Sequence, residues 1–446
     1  MASKSNLQLF SLCLVISAII PFASAIQIAT FDTWSQTELD QLVSEYFLSY
    51  SPSTGGLIYS QSKLYDGDAM FTLATWTQHN GFHYTNSFKV NPSGYTGCFR
   101  PSSGVLTGSG LSENSYITFS CNNTASKNVD YFVVMMNNSG AIVKNVVFAS
   151  PGVNPIGYNA AANAFEVKFL DTTMAIVMQS NYDTFVIVLN SQLELVYQVT
   201  PNTSAGMAFS ALAAADNSDD FVVAGGIRVD NQDHPYIATF NSSGQVLQQA
   251  SVDLPDIVTG LAVSEGVIQV CLGNAAGVRT LFLKSSDLSV IALRTASYTS
   301  TIVRCSASNG VFATNVPNSQ GSLSTWIFDV NGQEKYAFQN QLSIANDGVE
   351  VTSFLVTNQG DTILYGVSAS TDSIAGIPGV IAVNLNERGS GFHPPSQKFN
   401  QSQSPTIVQR SFGWYTSSQA NEFSIREANG SIFEPVRADV NHLIGQ

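Results

Sequence analysis

The chain has five histidines, and His234 has carboxylates for close neighbours. It falls in the polar stretch Arg228 to Pro235 beside Asp230 and Asp233. An imidazole titrates near neutrality and a carboxylate can orient it, so His234 is a candidate general base, with Asp183 and Asp233 as the accompanying acids. His79 and His83 sit in and just after a turn, and His442 lies in the tail; all three read as solvated side chains. His393 lies near Arg388 in a loop holding Pro394 and Pro395. Aspartates recur in polar stretches between apolar runs, at Asp66, Asp68, Asp130, Asp183, Asp230, Asp233 and Asp372. If those loops converge, Asp68, Asp130, Asp183 and Asp230 could hold Ca²⁺ through oxygen ligands. No Asp-x-Asp-x-Asp-Gly loop is present, and the alternative is that each Asp bonds its own turn backbone. There is no Gly-x-Ser-x-Gly elbow, His-Glu-x-x-His, Walker loop or dinucleotide fingerprint, so no organic cofactor is implied.

Lys+Arg number 18 against Asp+Glu 32 in 446 residues, a formal charge of −14. Nucleic acids and anionic membrane surfaces need clustered Lys and Arg, so neither is an expected partner. With 44% hydrophobic and only 11% charged residues, the chain can build a large core and is not a disordered, collagenous or coiled-coil sequence. Residues 1–25 read as a signal peptide. Lys4 precedes the apolar run Leu7 to Ile20, which is short of the roughly 20 residues of a span, and Ala23-Ser24-Ala25 ends it as a cleavage site. No later run is long enough to cross a membrane. The expected product is secreted, extracellular and monomeric.

Once Cys13 leaves with the signal, Cys98, Cys121, Cys271 and Cys305 remain, an even number with no CxxC pair. In an oxidising compartment they read as two bridges. Four cysteines allow three pairings, and nearest neighbours are favoured: Cys98 with Cys121 and Cys271 with Cys305. Sequons at Asn122, Asn137, Asn202, Asn241, Asn400 and Asn429 gain meaning from the signal peptide.

The elements that position these residues repeat. A strand, an Asn/Ser/Gly turn and a second strand recur with turns starting near 80, 137, 190, 241, 285, 331, 386 and 429, at intervals of roughly 50 residues. Asn and Gly tolerate the positive φ that tight turns require. Upstream hairpins such as Val258 to Leu272, turning at Glu265-Gly266, add a second pair of strands to each unit. Four short antiparallel strands per repeat make a propeller blade, so the expected fold is an all-β propeller of about eight blades, with seven the alternative. It occupies residues 46–446 as one domain. Before it, residues 26–45 form a leading segment in which Ser35-Gln36-Thr37-Glu38 is a capping box opening a short helix.

Two stretches resemble a known family. Asp220-Phe221-Val222-Val223-Ala224-Gly225-Gly226 followed by Pro235 to Val246, and Gly360 to Gly366 followed by Gly379 to Asn386, are similar to the secreted β-propeller-repeat proteins, in which a strand ending in Asn/Asp-x-x-Gly closes each unit. The resemblance implies a blade and carries no catalytic residue. The expected function is non-catalytic binding of an extracellular protein or glycan through rim loops. The alternative is a propeller hydrolase or lyase with a carboxylate/His site at the channel mouth. Trp34, Trp414 and Tyr415 are less regularly paced than the other aromatics and could form a sugar-stacking platform.

Overall fold

The computed structural model describes residues 26–30, 46–50, 56–65, 68–77, 81–90, 93–105, 114–126, 129–137, 141–149, 166–180, 183–202, 207–214, 218–229, 232–274, 276–298, 303–317, 322–341, 349–357, 360–371, 374–385, 394–395, 397–410, 412–418, 424–427 and 433–435. The signal peptide and the capping-box helix expected at Ser35 lie outside them. Among the described residues the regular elements are strands, and no helix is long and apolar enough to cross a membrane.

Strand β1 (Ile26–Thr30), the first of the described strands, pairs with residues 379–383. Blade 1 is β2 (Tyr46–Tyr50), β3 (Gly56–Tyr65), β4 (Asp68–Thr77) and β5 (Gly81–Val90). Blade 2 is β6 (Tyr95–Val105), β7 (Ser115–Asn123), β8 (Val129–Met136) and β9 (Ile142–Ala149), and blade 3 is β10 (Glu166–Phe169), β11 (Thr173–Ser180), β12 (Asp183–Asn190) and β13 (Leu195–Asn202). Blade 4 follows with β14 (Met207–Ala214), β15 (Phe221–Val229), β16 (Gln232–Phe240) and β17 (Val246–Val252). Blade 5 is β18 (Ile257–Ser264), β19 (Val267–Asn274), β20 (Gly277–Lys284) and β21 (Val290–Ala296). Blade 6 is β22 (Arg304–Ser308), β23 (Val311–Pro317), β24 (Ser322–Phe328) and β25 (Glu334–Gln341). Blade 7 has β26 (Val349–Val356), β27 (Thr362–Thr371) and β28 (Ile374–Asn384), and takes β1 as its fourth strand. First strands of successive blades pack side by side, and β26 meets β2, so the ring is closed.

Blade strands are continuous apolar runs because both of their faces are buried against neighbouring blades. In β12, Phe185, Ile187 and Leu189 join a core cluster with blade 2, while Val186 and Val188 join one with blade 4. In β15, Phe221 and Val223 face blade 3, and Val222 and Ala224 face blade 5.

The Asn/Asp-x-x-Gly signature has a direct geometric meaning. The side-chain Oδ1 of Asn190, Asn241 and Asp329 accepts hydrogen bonds from the amides two and four residues on, at 2.9–3.1 Å. The residue three on adopts positive φ: Leu193 at 58°, Gly244 at 76° and Gly332 at 65°. The Asx residue thus satisfies the turn amides between third and fourth strands.

After blade 7 the chain runs back around the outside. It passes blade 6, where Phe399 packs edge-on against Trp326 with centroids 4.9 Å apart. Five short strands then add to outer blade edges in reverse order. β29 (Asn400–Gln401) joins blade 5, β30 (Ile407–Gln409) blade 4, β31 (Gly413–Ser417) blade 3, β32 (Ser424–Glu427) blade 2 and β33 (Phe433–Pro435) blade 1. This belt covers edges that would otherwise offer bare backbone to other chains.

The described strands therefore form seven sheets, the alternative count and not eight. The unit expected around Asn429 is belt: its strands are three to five residues long and pair with other blades. The turn expected near 386 is where blade 7 ends its own strands, since Ile26–Thr30 supplies the fourth. Part of the leading segment thus belongs to the propeller.

Two disulfides are present. Cys98–Cys121 ties β6 to β7 within blade 2, and Cys271–Cys305 joins β19 of blade 5 to β22 of blade 6 with Cα atoms 6.0 Å apart.

Candidate functional site

The turns between second and third strands and the connections between blades share one end of the ring, here called the upper face. The other turns share the lower face. On the upper face of blade 4, Arg228 lies opposite Asp233 in the β15–β16 hairpin, with Nε 3.8 Å from Oδ1. Both side chains are 65% exposed, so the pair contributes roughly 1 kcal/mol or less. His234 is 17% exposed, and its Nδ1 is 4.0 Å from Oδ1 of Asp253 in the connection to blade 5. That spacing exceeds a hydrogen bond.

Asp130 is buried at the start of β8. Its Oδ2 accepts from the Tyr95 hydroxyl at 2.7 Å and the Asn123 amide at 2.8 Å, which ties the inner strand of blade 2 to its second hairpin. Asp183 opens β12 opposite Ser180, and Asp68 opens β4 opposite Tyr65. Asp66, Asp230 and Asp372 lie outside the described residues, as do His79, His393, His442 and Trp34. Among the described residues, no three His, Cys, Asp or Glu side chains come together as metal ligands.

The upper face does assemble a polar cluster that sequence reading missed. Asp256, at the entrance to β18, has a fully buried side chain. Its Oδ1 accepts from Arg279 and Asn274, while Oδ2 is buried without a hydrogen-bond partner. Burial pushes this carboxyl above the usual carboxylate range, with Arg279 and Asn274 pulling the other way. Asn274 Oδ1 in turn accepts from the amides of Ala276 at 2.7 Å and Gly277 at 3.1 Å, so the cluster locks the blade 4 to blade 5 connection onto a hairpin turn.

On the lower face, Asp219 bridges blades 3 and 4. It accepts from the amides and hydroxyls of both Thr172 and Thr173. Burial raises its pKa, but these hydrogen bonds outweigh burial and hold the carboxyl below its ordinary value.

The sequons distribute over both ends and the edge. Asn241 occupies a lower turn, where its Oδ1 accepts from the Ser243 hydroxyl at 2.8 Å. Asn137 sits in the equivalent turn of blade 2 and accepts from the Ala141 amide. Asn122 is in β7, and Asn202 ends β13 opposite Gly413 of the belt. Asn400 is an exposed residue of belt strand β29, not of an upper loop, and Asn429 lies outside the described residues.

A groove of about 460 Å³ opens on the outer edge of blade 4. Strand β30 pairs with Ala250–Val252 only, and the belt departs after the Arg410 amide bonds the Gln249 carbonyl at 3.2 Å. Trp414 then packs edge-to-face with Phe240 at 4.8 Å. Gln249 pins this departure: its Oε1 accepts from the Tyr236 hydroxyl at 2.7 Å and Trp414 Nε1 at 3.1 Å, and its amide donates to the Phe412 carbonyl at 2.9 Å. Gln245, Leu247, Gln248, Gln409, Arg410 and Trp414 are among the residues that line the space. Of the aromatics singled out in the sequence, Trp414 is in this wall, and Tyr415, one residue on, is 58% exposed. The remaining lining carried no local motif, because Trp414 and Gln249 are 165 residues apart.

No protein-family model matches the chain, and a search of curated proteins finds no relative. Solved structures similar in fold include the Dos1 propeller, at 11% identity and TM-score 0.44 over 82% of this chain and 97% of that one. The WD40 domain of Toxoplasma gondii coronin is similar at 10% identity and TM-score 0.47, over 83% and 88%. Kuenenia stuttgartiensis hydrazine synthase is similar at 10% and 0.47, over 77% and 100%. These likenesses say nothing of activity.

Proposed function

We propose that the chain is an exported, monomeric, non-catalytic glycoprotein that binds an extracellular protein or glycan through its upper rim loops. The observation that carries this reading is how the candidate catalytic and calcium-binding groups are employed. Asp130 is a buried acceptor for Tyr95 and Asn123, Asp233 faces Arg228 in solvent, and His234 Nδ1 lies 4.0 Å from the carboxylate of Asp253. A closed ring, a belt around its edges and a covalent link between blades 5 and 6 give a stiff frame, and loops on stiff frames are suited to recognition. The paired cysteines fit an oxidising compartment. Glycans at Asn137 and Asn241 would cover the lower face, while those at Asn122 and Asn202 would lie towards the upper one, where they would crowd a deep active site more than a broad partner contact.

The test begins with expression of the full chain in a eukaryotic secretory host. Cleavage after Ala25, glycan-dependent mass shifts and binding of the secreted protein to a glycan array or a panel of extracellular proteins are expected. Replacing Asp183, Asp230 and Asp233 together by Asn should weaken that binding about tenfold while leaving the thermal midpoint unchanged. Retention in the cytosol of the host, or binding indifferent to the triple change, overturns the rim reading. Hydrolase or lyase activity abolished by His234→Ala would favour the catalytic alternative.

A further inference from the structure

We propose that the groove on the outer edge of blade 4 is a second binding site, distinct from the rim, for an acidic saccharide bearing a hexuronate carboxylate. Arg410 is a cationic side chain of its wall, and among the described residues no aspartate or glutamate lines it. Arg410 Nε donates to the Ser251 hydroxyl at 2.8 Å, which fixes the guanidinium plane and leaves the Nη edge, the one that forks a carboxylate. Gln245, Gln248 and Gln409 also border this groove, and the side chains of Gln248 and Gln409 make no hydrogen bond among the described residues. A primary amide presents a donor pair and an acceptor together, which matches vicinal sugar hydroxyls. Trp414 supplies a flat apolar wall against which the C–H face of a pyranose can lie, and Gln249, bonded to Tyr236, Trp414 and Phe412, keeps that indole in place. At about 460 Å³ the groove has the size of a small-ligand site, enough for two or three sugar units.

The negative charge of the whole chain does not exclude an anionic ligand here. Charges beyond a Debye length of about 8 Å are largely screened at physiological ionic strength, so the local cation governs the encounter. A neutral saccharide would satisfy the glutamines but leave Arg410 without a counter-charge. That difference makes the carboxylate the discriminating feature of the ligand.

The experiment is calorimetric titration of the full secreted chain with trigalacturonate, with the neutral galactotriose and acetate as separate arms. Trigalacturonate is expected to bind at least tenfold more tightly than either. Gln409→Ala, at an exposed belt position, should weaken binding about threefold, and Arg410→Ala at least tenfold. Arg410→Lys keeps the charge but loses the fork, and should recover only part of the loss with an unchanged thermal midpoint. No heat with trigalacturonate at millimolar concentration overturns the proposal, as does equal affinity for galactotriose or indifference to both Gln409→Ala and Arg410→Lys. The rim variant with Asn at 183, 230 and 233 should bind trigalacturonate like the parent, so failure of the groove and failure of the rim are read separately.

Discussion

Ile28 of β1 lies directly opposite Ile381 of β28, which joins the first strand of the chain to the last blade. The ring is therefore closed by antiparallel pairing between sequence-distant segments. A variant lacking Ile26–Thr30 leaves β28 as a bare outer edge, and a thermal midpoint lower by about 5 °C or more is expected, together with concentration-dependent association. Calorimetry and light scattering check this; an unchanged midpoint would show that the closure contributes nothing.

Gly332 and Gly94 separate two reasons for glycine. Both have positive φ, at 65° and 83°. A Cβ on Gly332 would sit 2.7 Å from the Phe282 ring and 2.8 Å from Ala292 Cβ of the neighbouring blade, whereas one on Gly94 would meet nothing within 4 Å. Gly94→Ala should cost only the backbone term, about 1 kcal/mol, and Gly332→Ala roughly 2 to 4 kcal/mol. Equal losses in chemical denaturation would refute the packing role of the turn glycine.

The bridge between blades 5 and 6 spans a sequence separation of 34 residues. Loop-closure entropy makes its removal in a Cys271→Ala, Cys305→Ala pair worth roughly 3 to 4 kcal/mol. Denaturant midpoints with and without reductant should differ by the contribution of both bridges in the parent and by only the share of Cys98–Cys121 in the variant.

Asp219 makes the propeller acid-sensitive. Its pKa is lower folded than unfolded, so the stability it contributes is present above the ordinary carboxylate value and is lost as pH falls through the lower, folded value. Asp219→Asn should cost about 1 kcal/mol at pH 7, allowing for its partial exposure, and progressively less as pH falls through the folded pKa. A variant equally destabilised across that range would place the effect elsewhere.

Asp256 behaves in the opposite sense. Its folded pKa is raised, so its protonated form is favoured on folding and acidification relieves the buried charge. Arg279→Met strands that charge and should cost about 3 to 5 kcal/mol, much of it recovered when Asp256→Asn is added. Failure of the second change to recover stability would mean that Arg279 acts through packing and not charge.

Local chemistry was enough to read the strands, the turns and the class of fold. Apolar runs such as Phe185 to Leu189 can only be buried on both faces, and Asn241 or Asp329 three residues before a glycine can only be satisfied as a tight turn. The even cysteine count likewise pointed to bridges from composition. What pairing decided was lost to any local reading. Asn400–Gln401 and Gly413–Ser417 carry the same strand and turn preferences as a blade, and only their partners, Thr295 in blade 5 and the Gln198 to Asn202 stretch in blade 3, make them belt and not an eighth unit. The fourth strand of blade 7 was hidden for the same reason, because its hydrogen bonds go to residues at the far end of the chain. The groove beside Gln248 and Arg410 exists only because the belt leaves blade 4 partway along β17. No spacing along the chain encodes where two distant segments part.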